Sequence, residues 1–140
     1  MRQPVMVYVD PREDPVTVTS TGELDRVLDR LAADPRHQQA PPLVEIVSID
    51  EHRVLDIGLA HPDLSVVCWY DNVAGEALSS VATAPAASSV AFRLGGVWTM
   101  PDRSAVPVSV ARQAAREFAV TGARPTVVSW QPLPSPRSGR

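Results

Sequence analysis

Three histidines, one cysteine and a set of neighbouring carboxylates are the side chains in this sequence best suited to chemistry, and their spacing limits what they can do. His37, His52 and His61 lie 15 and 9 residues apart in loop-like stretches, with no H-E-x-x-H or H-x-E pattern and no cysteine pair to complete a zinc site. They read as solvated loop histidines, and no metal or cofactor is expected. Cys68 stands in an apolar run without a basic neighbour to stabilise a thiolate, so it reads as a buried, inert thiol. Asp50 and Glu51 are adjacent at a turn, where carboxylates are ordinarily solvated surface rather than an acid–base pair. A G-x-S-x-G elbow, a P-loop and a G-x-G-x-x-G loop are all missing, and Gly95-Gly96 is accounted for by a tight hairpin turn. No catalytic residue is assigned, and the chain is expected not to be an enzyme.

Composition sets the frame for these side chains. With 140 residues, 44% hydrophobic and 21% charged, the chain is expected to fold as one globular domain over 1–131. Residues 132–140, rich in Pro, Ser and Arg, form a tail that cannot repay its ordering entropy. No apolar run is long enough to span a bilayer, and the N-terminus turns acidic before a signal-peptide core develops. A cytoplasmic protein without membrane contact is the expectation. Charge is divided along the chain: residues 1–92 hold six Arg against fourteen acids, and residues 93–140 hold seven Arg against two. Within the acidic part, Glu45, Asp50, Glu51, Asp56, Asp63, Asp71 and Glu76 face Arg53 alone. Such a segment repels nucleic acid and attracts a basic partner.

The elements that must position these groups read as α+β. "PVMVYV" at 4–9 and "PVTVT" at 15–19 are strands, the second at an edge. Ser20 and Glu23 have capping-box spacing, and Leu24, Val27, Leu28 and Leu31 then recur at helical intervals, which predicts a helix over 21–33. "DPRHQQAPP" reads as a loop. Strands follow at 43–49, 53–60, 64–70, 76–82, 89–94 and 97–100, making an antiparallel or mixed sheet with the character of a meander. The run "LSVVCWY" is apolar on both alternations and should be covered on both faces. A second helix is predicted over 107–121, ended by Gly122, with a last strand at 125–130. Leu28, Leu31, Leu55, Ile57, Val67, Phe92 and Phe118 should form the core.

The C-terminal run "VPVSVARQAAREFAVTGARPTVVSW", preceded by "VAFRLGGVWTMP", resembles the immunity protein 1 family of bacterial polymorphic-toxin systems. The resemblance spans about residues 20–130 and rests on Ala111-Arg112, Phe118, Thr121-Gly122, Arg124-Pro125 and the closing Trp130, with "VLDIGLAHPDLSVVCWYDN" matching the middle strands. It implies an α+β fold and a binding function. The expected partner is a cognate secreted toxin whose deaminase domain acts on bases in nucleic acid. The alternative is a toxin-binding adaptor or chaperone that does not inhibit.

Binding residues are read from charge and aromaticity. Asp50, Glu51, Asp63, Asp71 and Glu76 are expected to form an acidic group that meets the toxin's nucleic-acid-binding face. Trp69 and Tyr70 point to opposite faces of one strand, so one of them is an anchor candidate beside Asp71 and Asn72. Trp98, after the hairpin turn, is open to interface or core. Trp130 is expected to pack on the second helix, Arg124 to bind loop carbonyls or a sheet carboxylate, and Arg112 and Arg116 to form a solvated helix face.

Overall fold

Residues 43–80 lay down the centre of a seven-stranded sheet in which every neighbouring pair is antiparallel. The structure, a computed structural model, describes residues 1, 3–10, 12–82, 90–94, 97–101 and 103–133, with the backbone alone at 97–99. In chain order the elements are β1 (Val5–Tyr8), β2 (Val16–Val18), α1 (Thr21–Ala33), α2 (Pro35–Gln39), β3 (Leu43–Ser48), β4 (Arg53–Gly58), β5 (Leu64–Ser65), β6 (Val67–Asp71), β7 (Glu76–Ser80), β8 (Ala91–Arg93), β9 (Val97–Thr99), β10 (Val106–Pro107), α3 (Val108–Thr121) and β11 (Trp130–Pro132). The sheet order is β11-β7-β6-β4-β3-β1-β2, so the fold is α+β with an antiparallel sheet.

Two covers close the sheet. On one face Leu55, Ile57, Val67 and Trp69 meet Leu24, Val27 and Leu28 of α1 and Ala111, Ala115 and Phe118 of α3. Trp69 and Phe118 make an edge-to-face ring contact, 5.7 Å between centroids and 80° between planes. On the other face Val47, Val54, Cys68 and Tyr70 are capped by Val90, Phe92 and Met100. Strand β6 is therefore buried on both sides, as its unbroken apolar run implies. Gly58 lies bare beneath the Phe92 ring, and a Cβ there would collide with it.

Local chemistry explains the helix ends. Ser20 Oγ accepts from Glu23 N–H at 3.1 Å while the Glu23 carboxylate takes Thr19 N–H at 2.9 Å. Gly122 ends α3 in the left-handed region at φ 68, its N–H donating to Phe118 O at 2.7 Å.

Several expectations are corrected. The "DPRHQQAPP" stretch contains α2, because Asp34 caps Arg36 N–H and Pro35 suits a first helical turn. The run 64–70 is not one strand: the Ser65 hydroxyl bonds both N–H and C=O of Gly58, and β5 leaves the sheet to pair with β10. Strands β8 and β9 do not continue the meander but form a separate hairpin, whose Gly95-Gly96 turn lies outside the described residues. The last strand is 130–132 rather than 125–130, since Glu117 takes both the N–H and the hydroxyl of Thr126 and holds that segment off the sheet. Pro132 pairs with Leu78, and Leu133 N–H reaches Ala77 O. Residues 134–140 lie outside the described residues. Leu31 is half-buried at the margin of the core; the other six expected core residues are buried.

Phe118 fills the seam between α3 and the sheet and has no exposed surface. Its replacement by Ala should cost about 3–5 kcal/mol of folding free energy, read from urea unfolding. A loss below about 1 kcal/mol would mean that the ring is not the seam's main filler.

Candidate functional site

One end of the sheet collects most of the polar side chains that the sequence singles out. The β3–β4 turn, the β6–β7 turn and the C-terminus of α3 meet there. Asn72 N–H donates to His52 O at 2.9 Å and joins the two turns. Arg53 sits at the start of β4, opposite Asp71 in the ladder. Its Nε lies 3.4 Å from Asp71 Oδ2 and its Nη1 donates to Gly122 O at 2.7 Å, tying both turns to the end of α3. The orphan carbonyl at a helix C-terminus is a natural guanidinium acceptor.

Each carboxylate of the expected acidic group has a distinct position. Asp50 closes its own turn, accepting from the Ser48 hydroxyl at 2.6 Å and His52 N–H at 3.0 Å, and these bonds hold its carboxyl below the usual range. Glu51 is exposed in the left-handed region at φ 64. Asp71 accepts from the N–H groups of Val73 and Ala74, each at 2.9 Å. Glu76 bridges Trp69 Nε1 at 3.2 Å and Arg124 Nη1 at 3.1 Å. Asp63 is exposed beyond the far end of β4, where its carbonyl accepts Val108 N–H at the start of α3. The five acids therefore do not form one patch. Asp71 and Glu76 are held by guanidinium groups, Asp63 is at the opposite end, and Asp50 and Glu51 remain open on this one.

Between β6, β7 and residues 123–130 lies a cleft of about 440 Å³ lined by Arg53, Trp69, Glu76, Arg124, Pro125 and Trp130. Trp130 Nε1 donates to Pro125 O at 3.0 Å, so the indole braces this loop. On the other side of the Arg53–Gly122 contact is a hollow of about 210 Å³ lined by Val5, Ile49, Phe118 and Val120. Ile49, Val73 and Val120 are 45%, 76% and 55% exposed.

The aromatic and arginine residues separate in the same way. Trp69 and Tyr70 do point to opposite faces, but both rings are buried, so neither presents a free anchor. Trp98 pairs in β9 with Phe92, and its side chain lies outside the described residues. Arg112 and Arg116 are not a solvated face. Arg112 Nη2 meets Asp29 Oδ1 at 2.8 Å and Asp25 O at 3.1 Å, and Arg116 reaches Asp25 Oδ1 at 3.1 Å, clamping α3 to α1. Cys68 is buried. His37 Nδ1 lies 2.7 Å from Leu31 O, and His61 Nδ1 accepts from Asp63 and Leu64 N–H. Among the described residues no three His, Cys, Asp or Glu side chains gather as a metal would need.

Ile49, Val73 and Val120, and the bridging role of Arg53, belong to this end of the sheet without having been singled out by residue type or spacing. For Val120 a signal was present, since it falls off the Val108, Ala111, Ala115, Phe118 stripe. Ile49 reads as the last residue of a strand, and nothing local marks its exposure.

Residues 12–132 match a family model described as immunity protein Imm1. No curated protein matches the chain.

Ala74 and Val73 N–H groups, with Arg53 beside them, hold the Asp71 carboxyl below its ordinary 3.8 against the opposing effect of burial. A depressed folded-state value means that the carboxylate stabilises the fold above the unfolded value and loses that contribution as pH falls through the folded one. Asp71→Asn should therefore lower the melting temperature at pH 7, and its gap from the wild type should close progressively below about pH 4. An equal gap at pH 7 and pH 2.5 would show that the charge is not what holds the turn.

Proposed function

Because the chain belongs to the immunity protein Imm1 family, we propose that it binds a cognate secreted deaminase toxin and silences it by covering the toxin's active site. Family membership over residues 12–132 is the observation that carries this reading. The resemblance to the polymorphic-toxin immunity family is what supports a deaminase as the partner.

The physical logic is that of occlusion. A deaminase acting on a base in nucleic acid takes that base into a zinc pocket and offers positive charge to the flanking phosphates. A protein that settles over the pocket stops turnover without performing any chemistry, and acidic groups at its contact surface speed the encounter. Asp50 and Glu51, open at one end of the sheet, suit that role. Asp71 and Glu76 support it from behind, keeping the turn and the cleft wall in place. The protein works where the toxin would reach the producing cell's own nucleic acid, which is the cytoplasm; no described helix is long and apolar enough to cross a membrane.

The test is a titration of the purified protein into a candidate cognate deaminase toxin domain from the same genome, following base deamination on an oligonucleotide. Activity should fall linearly and reach background at one equivalent. A purified one-to-one complex that deaminates at the free toxin's rate would overturn inhibition and identify an escort.

A further inference from the structure

On the reading that the chain binds a nucleic-acid deaminase toxin, we propose that the toxin docks end-on against the linked β3–β4 and β6–β7 turns, with Ile49, Val73 and Val120 as apolar contacts and Glu51 and Asp50 as partners for a basic segment of the toxin.

The placement rests on three independent features. First, exposed aliphatic side chains are unremarkable when scattered singly and informative when they gather. Met1, Val16, Ile49, Val73 and Val120 are the large hydrophobic residues exposed among the described ones, and three of these five surround the joined turns. Ile49 and Val120 line one hollow, and Val73 tops the neighbouring turn, which Asn72 fastens to His52.

Second, Glu51 occupies a backbone position at φ 64 that glycine takes without strain. Its side chain makes no hydrogen bond or ion pair among the described residues, so the fold gains nothing from glutamate there. Third, the surface has a net sign. Arg53 and Arg124, the guanidinium groups that border it, are engaged by Asp71, the Gly122 carbonyl and Glu76. Glu51 has no such counterpart among the described residues, and Asp50, though held within its own turn and near Arg53, stays exposed. Exposed apolar side chains flanked by exposed carboxylates complement a partner whose own site is built to hold phosphates.

Four variants and one footprint test this against the toxin domain that the wild-type protein is found to bind in the titration above. Ile49→Arg and Val120→Arg should each weaken binding by about 30-fold or more while leaving the unfolding transition near that of the wild type. Glu51→Gly should keep or raise the melting temperature, since it relieves the strained backbone, yet slow association several-fold at low salt, with the difference shrinking as salt rises. Asp63→Arg, at the opposite end of the sheet, should leave binding unchanged. In the wild-type complex, amide exchange should slow at residues 49–53 and 72–75. Wild-type protein that binds no such domain in that titration would overturn the functional reading and this surface with it. Wild-type protein that binds and inhibits, while the variants bind equally well or protection appears only around Asp63, would overturn the surface and leave the function standing.

Discussion

Trp69 is the residue on which both the core and the site depend. Its ring is 2% exposed and meets Phe118 edge to face, while its single polar atom, Nε1, reaches Glu76. A buried indole without an acceptor would carry a desolvated donor, so the carboxylate is placed for the tryptophan first. The second oxygen of Glu76 then takes Arg124, and Arg124 holds the loop that Trp130 braces from within. One hydrogen bond thus joins the helix–sheet seam to the wall of the cleft.

Arg53 makes the equivalent connection on the other side. It lies across the ladder from Asp71, and its second nitrogen reaches the carbonyl of Gly122, just past the end of α3. The guanidinium fork can do this because its donors diverge in one plane; an ammonium would serve one partner at a time. Between them, Arg53 and Arg124 pair with the two carboxylates nearest the seam, and Glu51 is left facing outward. The division between structural and available acids follows from where two arginines stand in the fold.

That division explains what was legible from residue types and spacing. The first helix could be read in full, because Ser20, Glu23 and the Leu24, Val27, Leu28 stripe act within a few residues of one another. The same holds for β3, β4 and the turn between them. The break at Val66 could not be read, because the Ser65 hydroxyl that causes it acts on Gly58 seven residues away. Nor could a count of charges separate Glu76 from Glu51, since the partner of Glu76 lies 48 residues further along the chain. Asp25 and Asp29 look as solvated as any acid on a helix, yet Arg112 and Arg116 reach them across more than 80 residues. Local chemistry was visible, and pairing set by topology was not.

A surface built from turns on a braced frame has a mechanical consequence. Ile49, Glu51 and Val73 project from segments whose backbones are held by Asp50, Asp71 and the Asn72–His52 bond, so their side chains are replaceable without disturbing a strand. Trp69, Glu76 and Phe118 are not, because each fills or satisfies a buried group. Left-handed backbone at Glu51 costs about 1–2 kcal/mol relative to an unstrained residue. The bonds that Asp50 accepts from the Ser48 hydroxyl and His52 N–H hold the turn in which that cost is taken. If a partner docks on these turns as proposed, hydrogen-bonded backbones leave little to order on binding, which is where a pre-formed surface gains affinity over a flexible one.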